Sequence, residues 1–179
     1  MLAADEGTRM KLYSGKIPTI AGDLLRKLKE GGDIEVSDLA EAQLDIEAVL
    51  KEYLRLDREL TEKAKDFMEK RRLPYEQFQK IKRTMAEERD FGIGEESVTY
   101  LANQIHEAFM HSRHIDEVFT EDVELRKRLQ GLLRKHLSAD EGIDKEVRRR
   151  IKNLQEGTTT WDVEYNRIME QVKRQQKLE

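Results

Sequence analysis

The stretch SDLAEAQLDIEAVLKEYLRLDRELTEKAKDF, residues 37–67, decides the fold class. Leu39, Ile46, Tyr53, Leu60 and Phe67 recur at seven-residue intervals, with Ala42, Val49 and Leu56 at the companion position between them. Such a period is the apolar seam of a long helix, not the alternation of a strand. Ser37 is the expected N-cap, and the helix is predicted to run to about Arg71 or to bend near Asp57, with Pro74 as its stop. The seam is expected to pack inside the chain. Pairing with a second chain is the alternative, which leaves monomer and homodimer both open.

The same pattern continues on both sides. Upstream, MKLYSGKIPTIAGDLLRKLKEGGD (10–33) predicts a lead-in and a helix with Pro18 in its first turn. Its stripe is Ile17, Ile20, Ala21, Leu24 and Leu28, and Gly31 and Gly32 end it. Downstream, a helix from Tyr75 to about Arg89 carries Phe78, Ile81 and Met85. After the FGIG turn (91–94) comes a stripe of Val98, Leu101, Ala102, Ile105 and Phe109. A further helix carries Leu125, Leu129, Leu132, Leu133 and Leu137, and Val147, Ile151 and Leu154 continue it after a break near Gly142. Gly157 is expected to end that segment. A threonine of the 158–160 run caps a last helix with Trp161, Tyr165, Ile168 and Val172.

Composition agrees with an all-α reading. The chain has 179 residues, 37% hydrophobic and 39% charged, with two prolines and ten glycines, so helix breakers are few. One apolar stripe per helix suffices for a core at this composition. Net charge is −4 with both signs interleaved, which gives no global attraction to nucleic acid or to an anionic membrane. The absence of cysteine excludes disulfides, thiolate metal sites and cysteine nucleophiles. No apolar run approaches the roughly 18 residues of a membrane span, and residues 1–9 read as a loose extension without a signal core. A cytoplasmic protein with no membrane partner is the expectation.

The two halves match. At a displacement of 81 residues, Ile17, Ile20, Ala21, Leu24, Leu28, Ile34 and Leu44 fall on Val98, Leu101, Ala102, Ile105, Phe109, Ile115 and Leu125. A two-residue insertion makes the displacement 83. Leu50, Tyr53, Leu54, Asp57 and Leu60 then fall on Leu133, His136, Leu137, Asp140 and Ile143, Phe78 on Trp161, and Met85 on Ile168. This predicts a tandem duplication: unit 1 over 10–90, a linker turn at 91–94, and unit 2 over 95–179. The units are expected to pack around a pseudo-twofold axis and fold together, each being marginal alone. The segments around GGDIEV and RHIDEV are placed to pair as two short strands across that axis.

MKLYSGKIP, DIEAVLKEYLR, LTEKAKD, LPYEQF, FGIGEE, HSRHIDEVFTED and VRRRIKNLQEGTTTWDVEY resemble a bacterial family catalogued as a domain of unknown function, family 507. The resemblance runs from Met10 to about Lys173. It implies a bacterial, stand-alone protein, and no catalytic residue carries over from it.

Candidate chemistry is sparse. His111 and His114 have helical metal-ligand spacing, but neither Glu-x-x-His nor HExxH accompanies them, and their counterparts Glu30 and Asp33 build the same junction without histidine. A polar turn is the preferred reading, with no metal. His136 and His106 read as side chains at a core edge, each hydrogen-bonded to a neighbour. YSGKIPT lacks the frame of a phosphate loop, and FGIGEE reads as a hinge because Glu95 and Glu96 already occupy the helix start. Glu87, Glu88 and Asp90 around Arg89 read as solvated charge. There is no nucleophile motif, so no catalytic residue and no cofactor is assigned.

The stronger lead is basic. Arg126, Lys127, Arg128, Arg134 and Lys135, then Lys145, Arg148, Arg149, Arg150 and Lys152, face four acidic residues between Leu125 and Leu154, a formal +6. The first half adds Lys80, Lys82 and Arg83. Arg126, Lys127, Arg134, Lys135, Arg148, Arg149, Arg150 and Lys152 form the candidate face for nucleic acid or a protein partner. No nucleic-acid module signature accompanies it. The expected function is therefore a non-enzymatic adaptor or regulator that binds another macromolecule, a protein before nucleic acid. RNA or DNA binding through the basic face is the alternative, and an enzyme comes last.

Overall fold

The computed structural model describes residues 10–138, 141–155 and 158–177. The extension at 1–9, Asp140 and the stop at Gly157 lie outside the described residues. The described elements are α1 (Ile17–Glu30), β1 (Ile34–Val36), α2 (Leu39–Arg71), α3 (Phe78–Glu88), α4 (Glu96–His111), β2 (Ile115–Val118), α5 (Asp122–Ser138), α6 (Glu141–Arg150) and α7 (Thr159–Lys177). The all-α class holds, with one short antiparallel strand pair between the two segments expected to form it.

Local chemistry sets the boundaries. Pro18 sits in the first turn of α1, where its missing N–H costs nothing. Gly32 has φ 74°, and the Asp33 amide donates back to Leu28 O at 2.9 Å, a left-handed cap that a side chain would strain. Asp38, not Ser37, caps α2: its carboxylate accepts from the Glu41 amide at 3.1 Å. Ser37 is occupied elsewhere, donating its amide to His114 O at 3.0 Å. α2 runs unbroken to Arg71. There Arg72 turns left-handed and the Leu73 amide closes on Met68 O at 3.0 Å, just ahead of Pro74.

Two compact units divide after Leu137, so the packing boundary does not coincide with the 91–94 turn. In the first unit α1, α2, α4 and α5 share one core. Leu24, Ile46, Leu50, Leu101, Ile105, Leu129 and Leu133 are fully enclosed there, each contributing about 1.5–3 kcal/mol of transfer free energy. Ile46, Tyr53 and Leu60 of the seam are buried inside the chain, whereas Leu39 is 46% exposed and Phe67 half-buried. The far end of α2 carries α3 on a smaller cluster of Ala64, Met68 and Phe78. The strands pair Ile34 with Val118, Glu35 with Glu117 and Val36 with Ile115, with an irregularity at Glu35/Val36.

Burial corrects one sequence correspondence. Leu44 is 51% exposed while Leu125 is fully buried, so the two do not occupy matching positions. Ala42, Ile46 and Leu50 on α2 and Leu125, Leu129 and Leu133 on α5 are all buried and stand 83 residues apart. Leu39 and Asp122, the first residues of the two helices, are 83 apart as well.

In the second unit α6 packs on α7. Val147 of α6, Ile151 just beyond it, and Trp161, Tyr165 and Met169 of α7 are all buried. One expectation changes here: Leu154 does not extend a helix, because residues 151–154 form turns and a bend. The break expected near Gly142 is present, α5 ending at Ser138 and α6 starting at Glu141. Thr158 caps α7 as expected, its hydroxyl accepting from the Trp161 amide at 3.1 Å.

Candidate functional site

The first unit carries an open groove of about 420 Å³ between α2 and α4. Ala48, Val49, Tyr53 and Leu56 come from α2, and Tyr100, Gln104, Ala108 and His111 from one stripe of α4, ending at Ser112. Asp45 and Glu52 add two carboxylates, and among the described residues neither lysine nor arginine lines the groove.

An aromatic cluster fixes the floor. Tyr53 stacks on Phe91 at 5.0 Å between ring centroids, and Phe91 meets Tyr100 edge-on at 4.9 Å. The Tyr53 hydroxyl donates to Gly92 O at 2.9 Å, and burial holds its phenol well above the usual range, with the Asp57 charge adding to the effect. Gly92 is required there: a Cβ would stand 2.5 Å from Glu96 O and 2.8 Å from Tyr100 Cβ. The FGIG turn thus does more than link helices, since it anchors the floor. Burial also raises the Tyr100 phenol, and the neighbouring Glu52 charge adds to it. Arg55 forks onto Glu52 at 2.6 and 2.8 Å and holds that carboxyl below its ordinary range, so Glu52 is charged at neutral pH. At the other end the Ser112 hydroxyl donates to Asp45.

The histidines go to different places. His111 reaches Glu107 one turn back at 3.2 Å on an exposed helix surface. His114 serves the strand pair with its main chain, its carbonyl accepting from Ser37 and its amide donating to Ser112 Oγ at 3.1 Å. The geometry does not bring His111 and His114 together as ligands, and among the described residues no three His, Asp or Glu side chains converge on a common point. His136 bonds Asp23 of α1 at 2.6 Å, at a core edge as expected. Burial opposes ionisation of Asp23, yet His136, Lys27 and Arg26 together lower it below its ordinary value. His106 is more enclosed than expected, 5% exposed. Its Nε2 lies 3.1 Å from Asp122 Oδ1, but off the line of a hydrogen bond.

The basic residues split between the two units. Lys127, Arg134 and Lys135 are exposed on the outer face of α5, Arg126 is half-buried, and Arg128 is drawn to the buried Asp33. Arg134 pairs with Glu95 at 3.0 Å and Lys127 with Glu124 at 3.5 Å. In the second unit Arg149 and Arg150 both bond Glu146, at 2.7 and 2.9 Å, and together hold its carboxyl at about 2. Arg148 is structural: it bonds Asp144 at 3.0 Å and lies 5.2 Å over the Trp161 ring. Lys152 is exposed in the turn after α6. Much of the formal +6 is thus answered locally by carboxylates.

A second cleft, about 500 Å³, lies between α1 and the start of α2, lined by Leu25, Leu39, Arg26, Lys29 and Glu30 among others. Its charges compensate one another, Arg26 reaching Glu30 at 3.7 Å. It lacks the one-signed rim of the α2–α4 groove.

The described elements define an all-α protein with one short antiparallel strand pair and a groove between two of its helices. The chain belongs to the family described as "Protein of unknown function (DUF507)", whose model matches residues 10–178. No curated protein matches the chain. Among the described residues no helix is long and apolar enough to cross a membrane.

Proposed function

We propose that the chain is a non-enzymatic protein-binding adaptor or regulator, bacterial and cytoplasmic, whose partner occupies the α2–α4 groove. The observation that carries this reading is the groove itself: an open trough between α2 and α4 whose floor is the buried Tyr53 with the half-exposed Val49, Leu56 and Tyr100. Uncovered apolar troughs with a polar rim mark interaction sites on helical proteins. The ionisable groups around it are engaged in packing and helix-surface pairs, Tyr53 with Gly92 and Glu52 with Arg55, which supports binding over catalysis.

We also propose that the chain arose by tandem duplication. In support, helix, strand, helix recurs over Ile17–Arg71 and Glu96–Ser138, and at a displacement of 83 residues the span of α3 falls within that of α7. The ladder ends also mirror each other: Ser37 donates to His114 O and Phe119 to Asp33 O, and Asp33 and His114 are 81 residues apart.

Affinity capture from the cells that make the protein, with protein and nucleic acid both assayed, tests the function. Wild type is expected to retain protein partners that Ala48→Arg loses and Lys135→Glu keeps. Capture of nucleic acid that Lys135→Glu abolishes would favour the alternative, an RNA or DNA contact through the exposed Lys127 and Lys135 of α5.

A further inference from the structure

The α2–α4 groove has a length, a floor and a charge that together specify an occupant. Resting on the protein-binding reading above, we propose that it takes a lysine- or arginine-bearing amphipathic helix of another protein. Asp45 to Leu56 spans about 16 Å of α2, at roughly 1.5 Å per residue, which is about three helical turns. A trough between two helices accepts a third by the same ridge-and-groove packing that joins the first two, its apolar stripe meeting Val49, Leu56 and Tyr100.

Charge sets the sign. Among the described residues the lining holds the carboxylates of Asp45 and Glu52, His111 at one end, and no lysine or arginine, so a cationic helix finds two partners at the rim that an acidic one does not. Asp45 and Glu52 are seven residues apart on one face of α2, a rise of about 10 Å. Two cations seven residues apart on a partner helix match that separation. The existing Glu52–Arg55 pair does not block this, because Arg55 is exposed and such i,i+3 surface pairs are weak and readily exchanged. Asp45 is held in place by Ser112 from the far wall, which presents its carboxylate at the groove's end.

The test uses the full chain and a fluorescent designed peptide of about four helical turns, with leucines in a single stripe and lysines seven residues apart. A twin peptide carries glutamates in place of the lysines. The lysine peptide is expected to bind saturably, and Glu52→Lys to weaken it about tenfold or more, a change of about 1.4 kcal/mol. Glu62→Lys, which makes the same charge change on α2 outside the groove, is expected to leave binding within about twofold. The glutamate twin should bind Glu52→Lys better than wild type. Three results overturn the proposal: no binding of the lysine peptide, equal weakening by Glu52→Lys and Glu62→Lys, or equal binding of both peptides. Self-association of the wild type that Glu52→Lys abolishes would make the occupant a second copy and overturn it too. The broader protein-binding reading survives these failures if cellular capture remains sensitive to Ala48→Arg, so the two ideas fail separately. Thermal unfolding of each variant confirms that the exposed substitutions leave the fold intact.

Discussion

The α2–α4 face and the α1–α5 face of the first unit are built alike and finished differently. Under the proposed duplication, Asp45 corresponds to Arg128, Ala48 to Gly131, Glu52 to Lys135, Tyr53 to His136 and Gln104 to Asp23. On the α1–α5 side the crossing is closed by polar pairs: His136 bonds Asp23 at 2.6 Å, Lys27 reaches Asp23 at 3.1 Å, and Arg128 turns to Asp33. On the α2–α4 side the matching tyrosine turns inward to Gly92, Gln104 lines the trough, and a groove remains. One scaffold thus carries a sealed face and an open one, and the open one has the opposite charge at two matched positions. The difference teaches how one helical framework, by exchanging a polar pair for an inward-turned tyrosine, keeps a groove open on one face, and it is this groove that we propose as the binding surface.

The largest expected effect tests how the halves align. Leu125→Ala should cost about 2–5 kcal/mol, because it empties a fully enclosed site. Leu44→Ala, at a half-exposed position, should stay within about 0.5 kcal/mol. Equal costs in denaturant unfolding would restore the correspondence that burial contradicts. A smaller effect separates the arginines of the second unit. Arg148→Ala should cost about 2 kcal/mol, since it leaves the buried Asp144 with less compensation and uncovers Trp161 and Tyr165. Arg149→Ala, at a surface partner of Glu146, should leave the denaturation midpoint close to that of wild type.

The smallest effect concerns the sealed face alone and appears in acid. Asp23 titrates below its ordinary 3.8 in the folded chain, so its stabilisation is complete above that value and declines as pH falls through the lower folded one. As pH drops, the unfolded chain takes up the proton first, and acid therefore favours unfolding. Asp23→Asn should be less stable than wild type at neutral pH and should lose less stability below about pH 4. Parallel pH profiles for the two proteins would show that the crossing on the α1–α5 face is not held by this carboxylate.

Much of the fold was legible in the sequence because apolar period, caps and breakers act locally. The seam from Ile46 to Leu60, the Gly31–Gly32 stop and the Thr158 cap all follow from chemistry within a few residues. The strand pair was legible only through the match of GGDIEV with RHIDEV, since three- and four-residue strands have too little alternation to stand alone. What failed depended on long-range geometry. Ser37 looked like a cap until its amide was claimed by His114, 77 residues away, leaving Asp38 to cap α2. Leu44 looked like a stripe residue by period alone, but the packing of α2 turns it outward, 51% exposed. The basic stretch was visible as formal charge, but its local neutralisation by Asp33, Glu95, Asp144 and Glu146 required the fold. The groove was missed because Tyr53 and Val49 were counted as core. The available signal was the width of α2's apolar arc: Ala48, Val49 and Leu56 extend it beyond the stripe the core needs, with Asp45 and Glu52 at its edge.

The most direct test places a photo-crosslinking residue at position 48 on the open face and, separately, at the matched position 131 on α5, in the cells that make the protein. A discrete protein adduct at 48, absent at 131 and lost on Glu52→Lys, is the predicted result. Adducts at 131 and none at 48, or adducts to nucleic acid at 131, would contradict the assignment of the α2–α4 groove as the binding face.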